Sequence, residues 1–142
     1  MSLEILYEDN HLIVAIKPAG ILSQEDQTKD ADMLTLLKYY IKDKYNKPGN
    51  VYLGLVHRLD RMTGGVMVFA KTSKAAKRLN EQIVKKDFSK RYYAIVDGII
   101  ETGNTLKNYL IKDEKEVRSY IGNSNNGKLA ILDYNVIKIL NN

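Results

Sequence analysis

Hydrophobic and polar positions alternate at the start of the chain. Ile5 and Tyr7, then Leu12, Val14 and Ile16, recur at every second residue, with Glu8-Asp9-Asn10 between the two runs. A period of two places such residues on one face of a strand, so the pattern predicts a two-stranded hairpin. Lys17-Pro18-Ala19-Gly20 ends the second strand, because proline fixes φ and glycine accepts turn geometry. Residues 21–31 read as a loop. From about Asp32 to Tyr45 the period changes: Leu34, Leu37, Ile41 and Tyr45 stand three or four apart and predict a helix. Asp30 or Asp32 is its expected cap, and Asn46-Lys47-Pro48-Gly49-Asn50 its end.

Two apolar runs follow, 51–56 and 66–70. The second has no polar residue and is expected to be buried on both faces. Between them lies HRLDRMTGG, His57 to Gly65. Thr72 or Ser73 opens a second predicted helix, with Ala75, Leu79 and Ile83 inward and most of the lysines outward. Asp87-Phe88-Ser89 breaks it. Residues 91–100, RYYAIVDGII, predict a long strand, and 105–111, 116–121 and 129–140 predict more, with a hairpin turn at 122–127. The expected fold class is α+β, with a mixed, mainly antiparallel sheet flanked by helices. No repeat, low-complexity tract or interdomain linker is visible. The run YNVIKIL is still strand-like close to the last residue, as if the chain were cut short.

Composition narrows the function classes. With 142 residues and 44% hydrophobic content the chain can build a core of one domain or part of one. The absence of cysteine excludes disulfides and thiolate metal sites, and two histidines are too few for a histidine-rich metal cluster. No apolar run approaches the roughly 20 residues of a membrane span. MSLEILYEDN lacks the basic start and apolar stretch of a signal peptide. A cytoplasmic protein without membrane contact is expected. Charge is concentrated: residues 57–91 carry ten Lys and Arg against three acids, an excess of seven, while the remaining residues sum to −2 within a total of +5. A focused basic surface suits a polyanion, nucleic acid above all, although a lysine-rich helix is also how a solvated face is built.

Asp60 lies within that basic segment, after a strand and before Thr63-Gly64-Gly65, and therefore on a loop, where reacting groups concentrate. Arg58 and Arg61 are expected to keep it ionised. An ionised carboxylate can attack carbon or stabilise an oxocarbenium, or it can simply order the two arginines. Arg58 can balance Asp60, reach a phosphate, or fill the gap left by an extruded base. Lys90-Arg91 beside Tyr92 and Tyr93 gives the mixture of basic and aromatic residues used by single-stranded RNA sites, but tyrosines in strands also serve packing. His57 is a candidate RNA contact or a hydrogen-bonding structural residue.

The arrangement is more specific than its parts. HRLDRMTGGVMVFAKTSKAAKRL followed by KRYYAIVDG closely resembles the RluA-type family of RNA pseudouridine synthases, whose signature is HRLD-x-x-T-S-G. ILYEDNHLIVAIKPAGI is similar to that family's opening segment, which ends in Lys-Pro-x-Gly. The resemblance implies a pseudouridine synthase-like α+β domain, an RNA partner (ribosomal or transfer RNA), and neither metal nor organic cofactor. It implies that Asp60 is the catalytic residue. It further implies that Arg58 enters the RNA helix where the target base has flipped out, and that Tyr92, matching the tyrosine of Lys-x-Tyr with Lys90, is the active-site tyrosine. In the implied reaction Asp60 acts, through the sugar or through the uracil ring, as the glycosidic bond breaks, and C5 then rejoins the ribose. Gly64 stands where the family has serine. The family's C-terminal segment resembling TGR-x-HQIR, whose arginine supports the aspartate, has no match in 129–142. Residues 1–142 are therefore expected to be the N-terminal part of a catalytic domain, with no accessory domain. The rival reading is an inactive RNA-binding fragment; a protein-interaction domain is a third.

Overall fold

A computed structural model describes residues 3–113, 116 and 118–140. It divides into two compact units, Met1–Arg91 and Tyr92–Asn142.

The first unit contains β1 (Ile5–Glu8), β2 (Leu12–Lys17), α1 (Met33–Lys44), β3 (Gly54–Leu55), β4 (Gly65–Ala70) and α2 (Ser73–Val84). Its strands form one sheet in the order β1-β2-β4-β3, every pair antiparallel. Asp9 makes the first turn: its Oδ1 accepts the backbone N–H groups of His11 and Leu12 at 2.7 and 2.6 Å. Asp32 caps α1 by accepting the Thr35 N–H at 2.9 Å, and Thr72 caps α2 through the Ala75 N–H at 3.1 Å.

Ile13 and Ala15 of β2, Met67 and Phe69 of β4, and Met33, Leu37 and Ile41 of α1 form the buried core, closed by Ile21 and Leu53. The side of β2 buried most deeply is thus that of Ile13, Ala15 and Lys17, not that of Leu12, Val14 and Ile16. Both faces of this strand are apolar, so alternation alone does not say which one receives the helix. The expectation that 66–70 is buried on both faces also needs correction. Val66 is 54% exposed, and the core takes Met67, Phe69 and Ala70.

The second unit holds β5 (Asn104–Asp113), β6 (Arg118–Gly122) and β7 (Lys128–Tyr134) in an antiparallel sheet of order β6-β5-β7. The hairpin expected at 122–127 is not formed: β6 and β7 each pair antiparallel with β5, on opposite sides of it, so the chain keeps its direction through a turn in which the Gly127 N–H is bonded to the Asn123 carbonyl at 2.9 Å. A Cβ on Gly127 would meet the Tyr109 Cβ at 2.8 Å, so the turn requires glycine. The strand predicted over 91–100 is not formed, and 135–140 is not a strand either. Residues 91–100 are exposed throughout. A strand-prone run becomes a strand only when a neighbour takes its hydrogen bonds, and no strand of the described residues pairs with these segments. Among the described residues no helix is long and apolar enough to cross a membrane. The fold class is α+β, as read from the pattern, with the strands in two antiparallel sheets.

Candidate catalytic site

The loop that bears Asp60 begins where a β-ladder stops. β3 pairs with β4 at Gly54↔Ala70 and Leu55↔Phe69. One step further would set Val56 opposite Val68, but the pairing ends there. The Val68 N–H instead donates to His57 Nε2 at 3.1 Å. An imidazole side chain thus satisfies a strand donor while the backbone turns away. Because Nε2 accepts, the ring proton sits on Nδ1. Burial lowers the His57 pKa, and the charge of Lys90 lowers it further, so the ring is held neutral. Phe88 packs on it at 5.6 Å between centroids.

Asp60 itself is exposed, but both of its neighbours are pinned. On one side, Ser23 Oγ donates to the Leu59 carbonyl at 2.6 Å and accepts the Leu59 N–H at 3.0 Å. On the other side, the Arg61 carbonyl accepts the Gly20 N–H at 2.8 Å and Lys17 Nζ at 3.1 Å. Within the loop, the Thr63 N–H bonds to the Asp60 carbonyl at 3.0 Å, tightening a turn.

Lys17 is fully buried, and its ammonium also donates to the carbonyls of Pro18 and Ile21 at 3.1 and 2.6 Å. Three N–H donors meet three carbonyls, which is how a lysine is tolerated inside a protein. Burial lowers its pKa, and the negative charge of Asp60 works in the opposite direction. The buried cation that feels Asp60 is therefore Lys17.

The flanking arginines behave differently from expectation. The Arg61 guanidinium turns to Asp30, Nη1 to Oδ2 at 2.9 Å, and its Nε donates to the Gly20 carbonyl at 3.2 Å. Among the described residues neither Arg58 nor Arg61 forms an ion pair with Asp60. Arg61 finds its partners across the loop, in the chain after β2, and its carbonyl and side chain both face that way. Arg58 is exposed. Asp60 is thus left without an ion pair to its neighbours in sequence.

The glycines after the loop have distinct reasons. Gly65 has φ +150°, a conformation L side chains rarely adopt. A Cβ on Gly64 would find its nearest atoms, the Ala19 nitrogen and Lys17 oxygen, at 3.4 Å. The serine of the related signature therefore fits at position 64.

Of the other expected site residues, Lys90 lies close enough to His57 for its charge to act there, and it is exposed together with Arg91. Tyr92 opens the second unit and is 59% exposed. Lys74, Lys77 and Arg78 of α2, with Lys85 and Lys86 beyond it, are all exposed, continuing the basic segment. Among the described residues no group of three or more His, Asp or Glu is placed to hold a metal ion. The sequence pattern does not point to Ser23, and it shows Lys17 only as part of a strand-ending stretch and of the Lys-Pro-x-Gly resemblance. A lysine on the apolar side of a strand was the available signal for Lys17; nothing marked Ser23.

Residues 11–142 match the family described as RNA pseudouridylate synthase. The chain belongs to that family. It is 36% identical over 139 residues to ribosomal large subunit pseudouridine synthase D of Pseudomonas aeruginosa, a match covering 97% of this chain and 42% of the relative. Ribosomal large subunit pseudouridine synthase C of Rickettsia prowazekii is 35% identical over 141 residues, 97% of this chain and 44% of its own. tRNA pseudouridine synthase C of Haemophilus ducreyi is 38% identical over 100 residues, 70% of this chain and 39% of its own. The chain spans less than half the length of these relatives. In fold it is similar to human RNA pseudouridylate synthase domain containing 4, with a TM-score of 0.75 at 24% identity, covering 94% of this chain and 53% of that one.

Proposed function

We propose that this RNA pseudouridylate synthase family member belongs to an enzyme that isomerises a uridine in structured ribosomal or transfer RNA, in the cytoplasm, with Asp60 as the reacting carboxylate. The observation that supports this most strongly is an exposed carboxylate between two anchored backbone positions. It lies in the most basic quarter of a chain that carries the family's motif. In the reaction the target nucleotide leaves its stack, at a cost of about a few kcal/mol. The N1–C1′ bond breaks, uracil turns, and a C5–C1′ bond forms. The C5 proton is lost and N1 gains one, so the product is an isomer and no redox partner is called for.

Arg58 occupies the space vacated by the base, where a planar cation can stack and still reach phosphate. Lys90 adds phosphate attraction. His57 holds the loop through Nε2, leaving its Nδ1–H as the ring donor for RNA. The assignment of Tyr92 as the residue that stacks on the base, and assists loss of the C5 proton, rests on Lys90-Arg91-Tyr92 matching Lys-x-Tyr. The target RNA is drawn from the relatives' names, which cover both ribosomal and transfer RNA.

Release of tritium from RNA labelled at uridine C5 tests the reading, since only loss of the C5 proton frees the label. A second reading, RNA binding without turnover, is supported by the basic segment 57–91, with ten Lys and Arg against three acids. Filter binding at several salt concentrations, with no tritium release, would be its signature.

A further inference from the structure

We propose that Ser23 is a positioning residue for Asp60, an inference that rests on Asp60 being the reacting group. One hydroxyl closes on both polar groups of a single residue: Oγ donates to the Leu59 carbonyl at 2.6 Å and accepts the Leu59 N–H at 3.0 Å. The Leu59 N–H belongs to the peptide plane shared with Arg58, and the Leu59 carbonyl to the plane shared with Asp60. Ser23 thereby sets the orientation of two consecutive peptide planes, and the second is the one from which the Asp60 side chain departs. Lys17 and Gly20 hold the Arg61 carbonyl on the far side, so removing Ser23 leaves Asp60 anchored at one end only.

The clamp is shielded and firmly mounted. Ser23 is 5% exposed, so water does not compete for Oγ, and the fully buried Met67 Sδ of β4 lies 3.7 Å from it. The preceding residue, Leu22, is bonded on both sides to the start of α1: its N–H to the Ala31 carbonyl at 3.3 Å and its carbonyl to the Met33 N–H at 2.9 Å. Ser23 therefore transmits the position of the helix and of β4 to the loop. A reacting group about 1 Å out of place loses on the order of 100-fold in rate, whereas binding of the remainder of an RNA substrate does not depend on that ångström.

The decisive comparison is Ser23→Thr against Ser23→Val in the full chain. The two variants share a shape and differ in the hydroxyl. Hydrogen exchange of the Leu59 amide is expected to quicken by about 10-fold or more in Ser23→Val and to stay near wild type in Ser23→Thr. In tritium release, Ser23→Val is expected to lower kcat by about 100-fold with KM within about threefold, and Ser23→Thr to restore most of kcat. Unchanged Leu59 exchange in Ser23→Val, equal kcat in Ser23→Val and wild type, or equal impairment of both variants would overturn the proposal. Should wild type release no tritium from any RNA, the functional reading fails, while the exchange comparison still decides whether Ser23 holds the loop.

Discussion

Lys17 Nζ and the carbonyl oxygen of Arg61 lie 3.1 Å apart across 44 residues of sequence. The same ammonium binds the carbonyls of Pro18 and Ile21, so one buried cation ties the end of β2 to the loop that bears Asp60. Lys17→Met keeps most of the stem's packing and removes all three donors. The Arg61 carbonyl keeps the Gly20 N–H, but those of Pro18 and Ile21 are abandoned at about 1 kcal/mol or more each, and we expect a loss of about 2 kcal/mol in urea unfolding. Lys17→Arg is expected to fail as well, because a planar fork does not reproduce three divergent donors.

His57 supplies a second prediction. Its Nε2 accepts the Val68 N–H, and burial, then Lys90, lowers its pKa. Protonation would turn the acceptor into a donor facing a donor. Since the folded pKa lies below the unfolded value of about 6.5, the contribution is complete above pH 6.5 and is lost as pH falls from there through the lowered value. Nitrogen chemical shifts should show the Nδ1–H tautomer at neutral pH. His57→Phe is expected to abolish this part of the pH dependence while destabilising the fold through the orphaned Val68 N–H.

Much of this was legible in the sequence, and the parts that were not share a cause. Asp32 and Thr72 as helix caps and the Asp9 turn are local arrangements, decided within a few residues, whereas the hairpin expected at 122–127 is not formed because β5 lies between β6 and β7. The strand expected at 91–100 failed because pairing depends on a partner, which no local pattern supplies. Adjacency in sequence alone points Arg58 and Arg61 at Asp60. Asp30, distant in sequence, offers Arg61 a better geometry. The proposal of Asp60 rests on its company of motifs. Ser23 was not legible, because its partner lies 36 residues away and a serine in a loop carries no pattern.

Glu8 gives a third prediction. Burial works to raise its pKa, but bonds from Lys44 and Lys71, each at 2.7 Å, and from the hydroxyls of Tyr45 and Tyr40, at 2.8 and 3.0 Å, hold it down at about 2. Its side chain is only 7% exposed, so screening is weak. The stability it provides is present above the unfolded value near 4.5 and is lost as pH falls towards 2, for a total of about 3 kcal/mol. Unfolding free energy measured from pH 6 to pH 2 should show this slope, and Glu8→Gln should remove it.

The glycine pair after the loop separates two effects. Gly65→Ala must place a side chain at φ +150° and is expected to cost more than about 1 kcal/mol. Gly64→Ser meets its nearest atoms at 3.4 Å and is expected to shift stability by less than about 0.5 kcal/mol. Thermal unfolding of the two variants side by side distinguishes them.

Whether Asp60 is the reacting carboxylate of an RNA uridine isomerase is decided by tritium release from C5-labelled uridine RNA with wild type and Asp60→Ala. Asp60 is exposed and forms no ion pair among the described residues, so its removal should leave folding and salt-dependent RNA binding intact. Wild type is expected to release tritium, and the variant at least about 1,000-fold less. Equal release by Asp60→Ala and wild type would contradict that role.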